Sequence, residues 1–373
     1  METASMPSVE SVSSSNARSV FPYTHVTLCW SHVSHWNIAE AAWSALKRAL
    51  PRVHVAIQHD MPVHAVDNPT HLWVIVAQQC WPSAARALPP QPYIVMQTEQ
   101  FDAWGFNPRN GAPENSANYN VLAHALEVWD YSLYNIASAY CEPRLSALSA
   151  RQRFVPFLYD AQILQSAQVI EWDAKPYDVI IAGWAAPPRR REIIDYLSQN
   201  GIRVTNVCDR THKAFADALA QARIVLNWHA SDHHCVLEQG RLIFALTHGS
   251  YVVSERSSDI YMDAFYEDSV DFVDQGIAKQ SLLEIVRGVL ANPQAPAIAR
   301  QRQQQVFQRT FDLSWWLRER VLPYVGQREP RVDAGESTPE RLQQAVIDAE
   351  HGRVSELYPY FFGRVLPHQE IKS

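Results

Sequence analysis

Charge is scarce in this sequence: Asp, Glu, Lys and Arg make up 19% of its 373 residues. That is too little for a coiled coil or a charged disordered chain. Cysteine is scarce as well. Cys29, Cys80, Cys141, Cys208 and Cys235 are an odd five, widely spaced, with no C-x-x-C among them. This pattern argues against a disulfide framework and for buried free thiols in a reducing compartment, so a cytoplasmic location is expected. No apolar run reaches about 18 residues, and no transmembrane segment is expected. There is no G-x-G-x-x-G and no P-loop, which removes the main support for those nucleotide folds. Basic residues number 32 against 39 acidic, a net charge of -7. An acidic surface argues against nucleic acid as a partner, while a local basic pocket for one phosphorylated ligand stays compatible with it.

What is present is a core-forming, aromatic-rich chain. Hydrophobic residues are 47% of it, with 12 Trp, 15 Tyr and 15 His. At about 100–200 residues per domain, the length predicts two domains. Residues 1–20 are polar and Ser-rich with no apolar core segment, so they are expected to be a disordered leader and not a secretory signal.

From residue 21 onward, short apolar runs alternate with helical patterns. In the first half, HVTLCW (25–30), 53–57, 72–77, YIVMQ (93–97), 128–129 and FVPFL (154–158) read as strands. Helices are expected over 37–50, with Asn37 as a cap, and over 118–126 and 133–140. A second set restarts at DVIIA (178–182), with further strands at 204–208, 224–228, 251–254 and 270–273. Its helices are expected at 189–199, 212–222, 237–247 and 281–290. Alternation of this kind means parallel sheets with crossover helices. The predicted fold is therefore α/β: two tandem doubly wound, Rossmann-like domains facing a cleft, over 21–165 and 170–310. A C-terminal helical extension and tail follow over 311–373. Within it, LSWWLRERVLPYV (313–325) is amphipathic and expected to cross back onto the first domain. The aromatic patch at 358–362 is a candidate interface for an oligomer.

Two segments carry ligand chemistry. In GWAAPPRRREIIDYL (183–197) a strand ends in Gly183, and a Pro-containing loop leads into a helix that opens with Arg189, Arg190 and Arg191. Glycine lets the backbone approach a ligand, a helix N-terminus attracts anions, and arginines add bidentate phosphate contacts. The alternative is an ordinary strand-to-helix turn with a solvated basic face. In IVLNWHASDHHCVLEQGRLIFALTHGSYVVSE (224–255), His229 follows a strand end. Glu238 and Arg241 lie three apart near a helix start, and the next strand ends in Ser254 and Glu255. These polar groups gather where open parallel sheets bind ligands. Here the alternative is a dipole-favoured glutamate with a surface arginine.

The spacing Gly-x5-Arg, followed by L-E-x-x-R-x-x-x-A-L-x-x-G-x-x-V-V-S-E, resembles the donor-binding domain of GT-B glycosyltransferases, most of all group 1-like and CgeB-like proteins. QTEQ (97–100) and EVWDYSLYNI (127–136) resemble related bacterial and giant-virus glycosyltransferase sequences. The resemblance covers roughly residues 24–325. It implies that Gly183, Arg189, Arg190, His229, Glu238, Arg241, Ser254 and Glu255 face a nucleotide diphosphate-sugar donor. It also implies transfer of a sugar to an acceptor hydroxyl of unknown identity, on a glycan, a lipid-linked glycan, a protein or a small molecule. Such enzymes usually need no metal ion, so neither metal nor cofactor is expected, although His229, Asp232, His233 and His234 in HASDHH could form a metal cluster by composition. One departure is clear. The group 1 pattern has two glutamates spaced E-x7-E, yet Phe244 stands at the second position and Glu238 is not at the usual first. Retaining or inverting stereochemistry does not carry over.

The general base is expected in the first domain. His32 and His35 in WSHVSHWN follow the first strand, and a histidine titrates where a base for a hydroxyl is needed. Glu99, just past YIVMQ, is the rival, and Asp130 can orient an acceptor or cap a helix. Trp36, Trp104, Trp184 and Trp228 are candidates for stacking on sugar or base. Two other readings stay open: a non-catalytic binding or scaffold protein of the same architecture, and a sugar-nucleotide epimerase.

Overall fold

The computed structural model of the chain describes residues 21–31, 35–60, 67–77, 89–98, 117–132, 134–136, 139, 148, 151–157, 159–162, 170–183, 185–208, 212–230, 236–309 and 312–326. The first half builds β1 (His25–Trp30), α1 (Trp36–Ala49), β2 (His54–His59), β3 (His71–Val76), β4 (Tyr93–Gln97), α2 (Ala117–His124), β5 (Glu127–Asp130) and β6 (Gln152–Phe154). These strands form one six-stranded sheet in the order β2-β1-β3-β4-β5-β6, with each neighbouring pair parallel. The second half builds β7 (Tyr177–Ala182), α3 (Pro188–Gln199), β8 (Val204–Val207), α4 (His212–Ala220), β9 (Ala222–Asn227), α5 (Gln239–Thr247), β10 (Tyr251–Glu255), α6 (Ile260–Tyr266), β11 (Asp271–Val273), α7 (Lys279–Ala291) and α8 (Ala295–Arg309). Its five strands are also parallel, in the order β11-β10-β9-β7-β8. The chain is thus α/β, with two doubly wound Rossmann-like halves.

The sequence dictates this by making central strands apolar on both faces. Every residue of β4 (YIVMQ) and of β10 (YVVSE) is buried, as strands covered by helices on both sides require. In each sheet the chain first steps from its founding strand to one side, then returns to the other side. That places a topological switch point between β1 and β3, and another between β7 and β9. Loops leaving the strand ends diverge there and open a crevice.

Helix α1 covers one face of the first sheet with Ala42, Ala45, Leu46 and Ala49. The same core receives residues 313–325. Leu313, Trp316, Leu317, Val321, Leu322 and Val325 pack with Val26 and Leu28 of β1, so the amphipathic segment does return to the first sheet. It starts as α9 (Leu313–Trp316), widens into a π-turn over Leu317–Val321 and tightens to 3-10 over Leu322–Tyr324. Pro323, which lacks an amide donor, sits in that last turn and rules out a continuing α-helix.

Several boundaries differ from the sequence reading. Helix α1 begins at Trp36 with His35 at its cap, and Asn37, one turn position later, accepts from the Ile38 N–H instead. The FVPFL strand is displaced to Gln152–Phe154, because Pro156 cannot donate to a ladder. Helix α5 starts at Gln239, leaving Leu237 before it. Helix α6 was not expected. Its N-cap is Asp259, which accepts from the Met262 N–H. Residues 134–136 and 139 are helical within the expected 133–140; the others there lie outside the described residues. No helix among the described residues is long and apolar enough to cross a membrane.

Arg48 ties the cap of α9 to α1. Its guanidinium meets Asp160 at 3.0 Å and Asp312 at 3.1 Å. Asp312 also caps α9 through the Ser314 N–H (2.8 Å) and accepts from the Ala161 N–H (2.9 Å). Burial alone would raise the Asp312 carboxyl, but hydrogen bonds from Ser314 and Ala161 and the Arg48 charge outweigh it, and the net shift is downward. A lowered carboxyl stabilises the fold above its unfolded pKa, and that contribution is lost as pH falls through the folded value. Arg48→Ala is expected to cost about 1–3 kcal/mol of stability at pH 7 and to flatten acid sensitivity below pH 4. Urea melts at pH 7 and pH 3.5 check this, and equal midpoints for variant and parent at both values would refute it.

Candidate functional site

The second sheet's switch point holds an arginine cluster. Strand β7 ends at Ala182, and Gly183 follows with φ +103°, a left-handed conformation open to glycine. The strand end is pinned: the Gly183 N–H donates to Val207 O (2.8 Å), and Asn206 Nδ2 donates to the carbonyls of Ile181 (2.7 Å) and Gly183 (2.8 Å). A Cβ on Gly183 would lie 2.8 Å from Arg241 Cζ and Nη2 and 3.0 Å from Arg190 Nη1. Glycine therefore makes room for two guanidiniums.

Those two cations sit against a third positive feature. Arg190 lies in the first turn of α3, which begins with Pro188 and has no side-chain cap. A helix N-terminus is electropositive, so arginines there are unfavourable until an anion arrives. Arg190 is buried, and its Nε donates to Trp228 O at 2.7 Å. Burial first, and Arg241 second, push the Arg190 guanidinium down to about 9, against the pull of Glu238, Cys208 and Glu255. Arg241 meets Glu238 at 3.4 Å. Its Nη1 is buried and has no hydrogen-bond partner among the described residues. A buried donor on a cation left without a partner is costly, and an anion at this point would supply one.

The neighbours of the pair are already matched. Arg189 holds the buried Glu255 carboxylate with both terminal nitrogens, and its Nη1 reaches His229 O at 3.2 Å. Glu255 also accepts from the His229 N–H (2.9 Å). Burial pushes the His229 imidazole down, and its Nε2 lies 3.1 Å from Arg256 O. Ser254 Oγ accepts from Asn227 Nδ2 and donates to Glu255 O, both at 2.9 Å, inside the sheet. The Trp228 ring is buried and carries Arg189 over its face at 4.9 Å, so that face is not open for stacking. Glu238, with one third of its side chain exposed, is the carboxylate beside the pair that can accept from ligand hydroxyls.

Gly183, Arg189, Arg190, His229, Glu238, Arg241, Ser254 and Glu255 are thus gathered at one place. Of the remaining candidates, His35 is buried at the start of α1, whereas His32, Glu99 and Trp104 of the first half and Trp184, Asp232, His233 and His234 of the second lie outside the described residues. Asp130 is fully buried. It accepts from the Ser132 N–H (2.9 Å) and from Asn135 Nδ2 (3.2 Å), and so caps the turn after β5. Burial pushes it up to about 7 despite those bonds.

The two sheets face each other through their strand ends. Past β5, Ser132 Oγ donates to Asp259 at 2.8 Å, and the Tyr131 carbonyl accepts from Gln239 Nε2 at 2.6 Å. Asp259 lies just beyond β10, and Gln239 is the first residue of α5, two positions from Arg241. Sequence reasoning missed Gln239, Ser132 and Asp259. The one available signal was an Asp before the apolar IYMDAFY run, an N-cap pattern.

Gly183→Ala should force Arg241 and Arg190 apart and strain the backbone, at a cost of about 1–3 kcal/mol. Differential scanning fluorimetry is expected to show a lowered Tm and a lost response to pyrophosphate. A variant that melts and responds like the parent would contradict the crowding.

No family model matches the chain. An uncharacterized protein of Acanthamoeba polyphaga mimivirus is 28% identical over 212 residues, 56% of this chain. The chain's match spans 62% of that protein's length. Among solved structures, HepE of Anabaena in complex with UDP and glucose covers 78% of this chain and 96% of its own at 13% identity and TM-score 0.51. WaaG, a glycosyltransferase involved in lipopolysaccharide biosynthesis, covers 80% and 99% at 12% identity and TM-score 0.51. A glycosyltransferase from Rickettsia africae covers 82% and 100% at 7% identity and TM-score 0.51. With its two parallel sheets joined at their strand ends, the chain has the GT-B fold of these glycosyltransferases.

Proposed function

We propose that the chain transfers a glycosyl group from a nucleoside diphosphate-sugar to an acceptor hydroxyl without a metal ion. The observation that carries this reading is the Arg190–Arg241 pair beside Gly183, with Arg190 buried and the buried Nη1 of Arg241 lacking a partner among the described residues. A diphosphate brings two negative charges to two guanidiniums and a helix N-terminus. The HepE structures, named as complexes with UDP and with UDP-glucose, support a donor of that class.

In the reaction, the bond from the sugar's C1 to the diphosphate oxygen breaks and a bond from C1 to the acceptor oxygen forms. The acceptor's proton passes to a base, and the nucleoside diphosphate leaves with a further negative charge. Arg190, Arg241 and the α3 N-terminus stabilise that charge as it develops. His32 and His35, in the segment after β1, and Glu99, after β4, are the candidate bases. Binding without turnover is the second reading, and Phe244 favours it. This residue, at the position of the family pattern's second glutamate, is buried in the core against Phe215 with ring centroids 5.6 Å apart.

Arg241→Met is expected to weaken UDP binding by a factor of about 10–100, the loss of one charge-assisted hydrogen bond of about 1.5–3 kcal/mol. It should hold or raise the melting temperature of the ligand-free protein, because it removes a like charge beside the buried Arg190. Isothermal titration with UDP and a thermal melt decide this. An unchanged Kd with a lowered Tm would make Arg241 structural. Turnover of a nucleotide-sugar is expected to persist in EDTA. His32→Ala or His35→Ala should lower kcat by about 10²–10⁴ with donor Kd unchanged. Loss in Glu99→Gln alone would move the base there, and no turnover by the parent with any acceptor would leave the binding reading.

A further inference from the structure

The corner of the first sheet at β1 and β2 is aromatic and carries an exposed imidazole–carboxylate contact. Trp30 ends β1 and His59 ends β2; they are register partners, with rings 4.6 Å apart at 77°. Trp36, the first residue of α1, meets Trp30 at 4.5 Å and 54°. Both indoles are partly exposed. Asp60 then turns left-handed at φ +65°, held by its N–H donating to Trp30 O (2.8 Å) and by Gln58 Nε2 donating to its own carbonyl (3.0 Å). This turn sets the Asp60 carboxylate 2.9 Å from His59 Nδ1, with the two side chains 62% and 54% exposed. His59 Nε2 lies 3.2 Å from Ser31 O. Ser31 Oγ is buried with no hydrogen-bond partner among the described residues.

Packing at the top of α1 accounts for the Trp30 ring. It does not account for the exposed imidazole–carboxylate pair fixed beside the indoles, or for the buried hydroxyl of Ser31. The corner lies at the strand ends that face the second sheet. Its β1 side is three strand steps and its β2 side four from β5, about 14 to 19 Å at 4.8 Å per step, and the turn after β5 touches Asp259 and Gln239.

We propose that this corner is a saccharide subsite, and that the acceptor it seats is a neutral pyranose. One face of the ring lies on Trp36, with Trp30 packed beneath it, and its hydroxyls meet His59 and Asp60. A ring of C–H groups flanked by hydroxyls matches a flat indole with polar groups at its rim. A bare arene would cover the indoles and leave the polar groups unserved. A phosphorylated acceptor would face the Asp60 carboxylate. The acceptor role rests on the transferase reading above; the saccharide contact does not.

The test is saturation-transfer NMR on the full chain with maltose, lactose, methyl glucoside, glucose 6-phosphate and p-nitrophenol, each with and without UDP, alongside UDP titration. Transfer from protein to the neutral saccharides is expected. It should fall at least tenfold in Trp36→Ala and several-fold in Asp60→Asn, with UDP affinity within twofold of the parent in both. Asp60→Asn keeps the proposal open to refutation where Trp36→Ala does not fold. Saccharide signals that survive both changes, or no signal from any neutral saccharide, would overturn the subsite. A Trp36-dependent signal from p-nitrophenol or glucose 6-phosphate alone would overturn the neutral-saccharide class. If UDP does not bind the parent but saccharides do so through Trp36, the donor reading falls and the saccharide subsite stands.

Discussion

Two guanidiniums of like sign, set side by side at the end of a parallel strand with Arg190 buried and Arg241 partly so, are the constraint on which the second half depends. Arg190 and Arg241 approach the Gly183 position so closely that no Cβ fits between them. They come from helices on different elements, and α3 adds its own positive end. A fold does not gain stability from such a cluster; burial already lowers Arg190. The protein bears this cost locally and offsets it nearby. Glu255 neutralises Arg189, Glu238 sits beside Arg241, and backbone carbonyls of Trp228 and His229 accept from the other nitrogens. What remains is a site whose electrostatics improve when an anion arrives.

The same cluster is coupled to the other half through short connections. Gln239 and Arg241 share the first turn of α5, and Gln239 Nε2 is hydrogen-bonded to the Tyr131 carbonyl of the first half. Glu255 ends β10, and four residues later Asp259 receives the Ser132 hydroxyl. These two hydrogen bonds between the halves therefore belong to the segments that carry the arginine cluster. In the first half the corresponding strand ends carry the aromatic corner and, among the described residues, no arginine pair. The two sheets share the same strand order about their founding strands, and among the described residues the arginine cluster belongs to the second and the Trp30–Trp36 corner to the first.

Most of the architecture was legible in the sequence, because a parallel sheet covered on both faces needs near-continuous apolar strands and each run is punctuated. HVTLCW, YIVMQ and DVIIA announced β1, β4 and β7 within a residue. Boundaries failed where a single group overrode the pattern: Pro156 ended a strand that FVPFL seemed to extend, and His35 replaced Asn37 at the start of α1. The site was legible as a set of residue types at strand ends, and Arg189, Arg190, Glu238 and Arg241 fall together as the spacing implied. Their division of labour was not legible. That Glu255 is taken up by Arg189, that the Trp228 face is covered, and that Ser254 is held within the sheet are facts of long-range packing, between residues 27 to 66 positions apart. The Trp30–His59 pair was equally hidden, since strand register is invisible in one sequence.

The most direct measurement is a crystal structure of the full chain with UDP. The account predicts the diphosphate at the β7–β9 switch point, with a phosphate oxygen within hydrogen-bonding distance of Arg241 Nη1 and of the Arg190 guanidinium, and Gly183 against the phosphates. A nucleotide bound elsewhere, or one at this switch point whose phosphates leave Arg241 Nη1 without a partner, would contradict it.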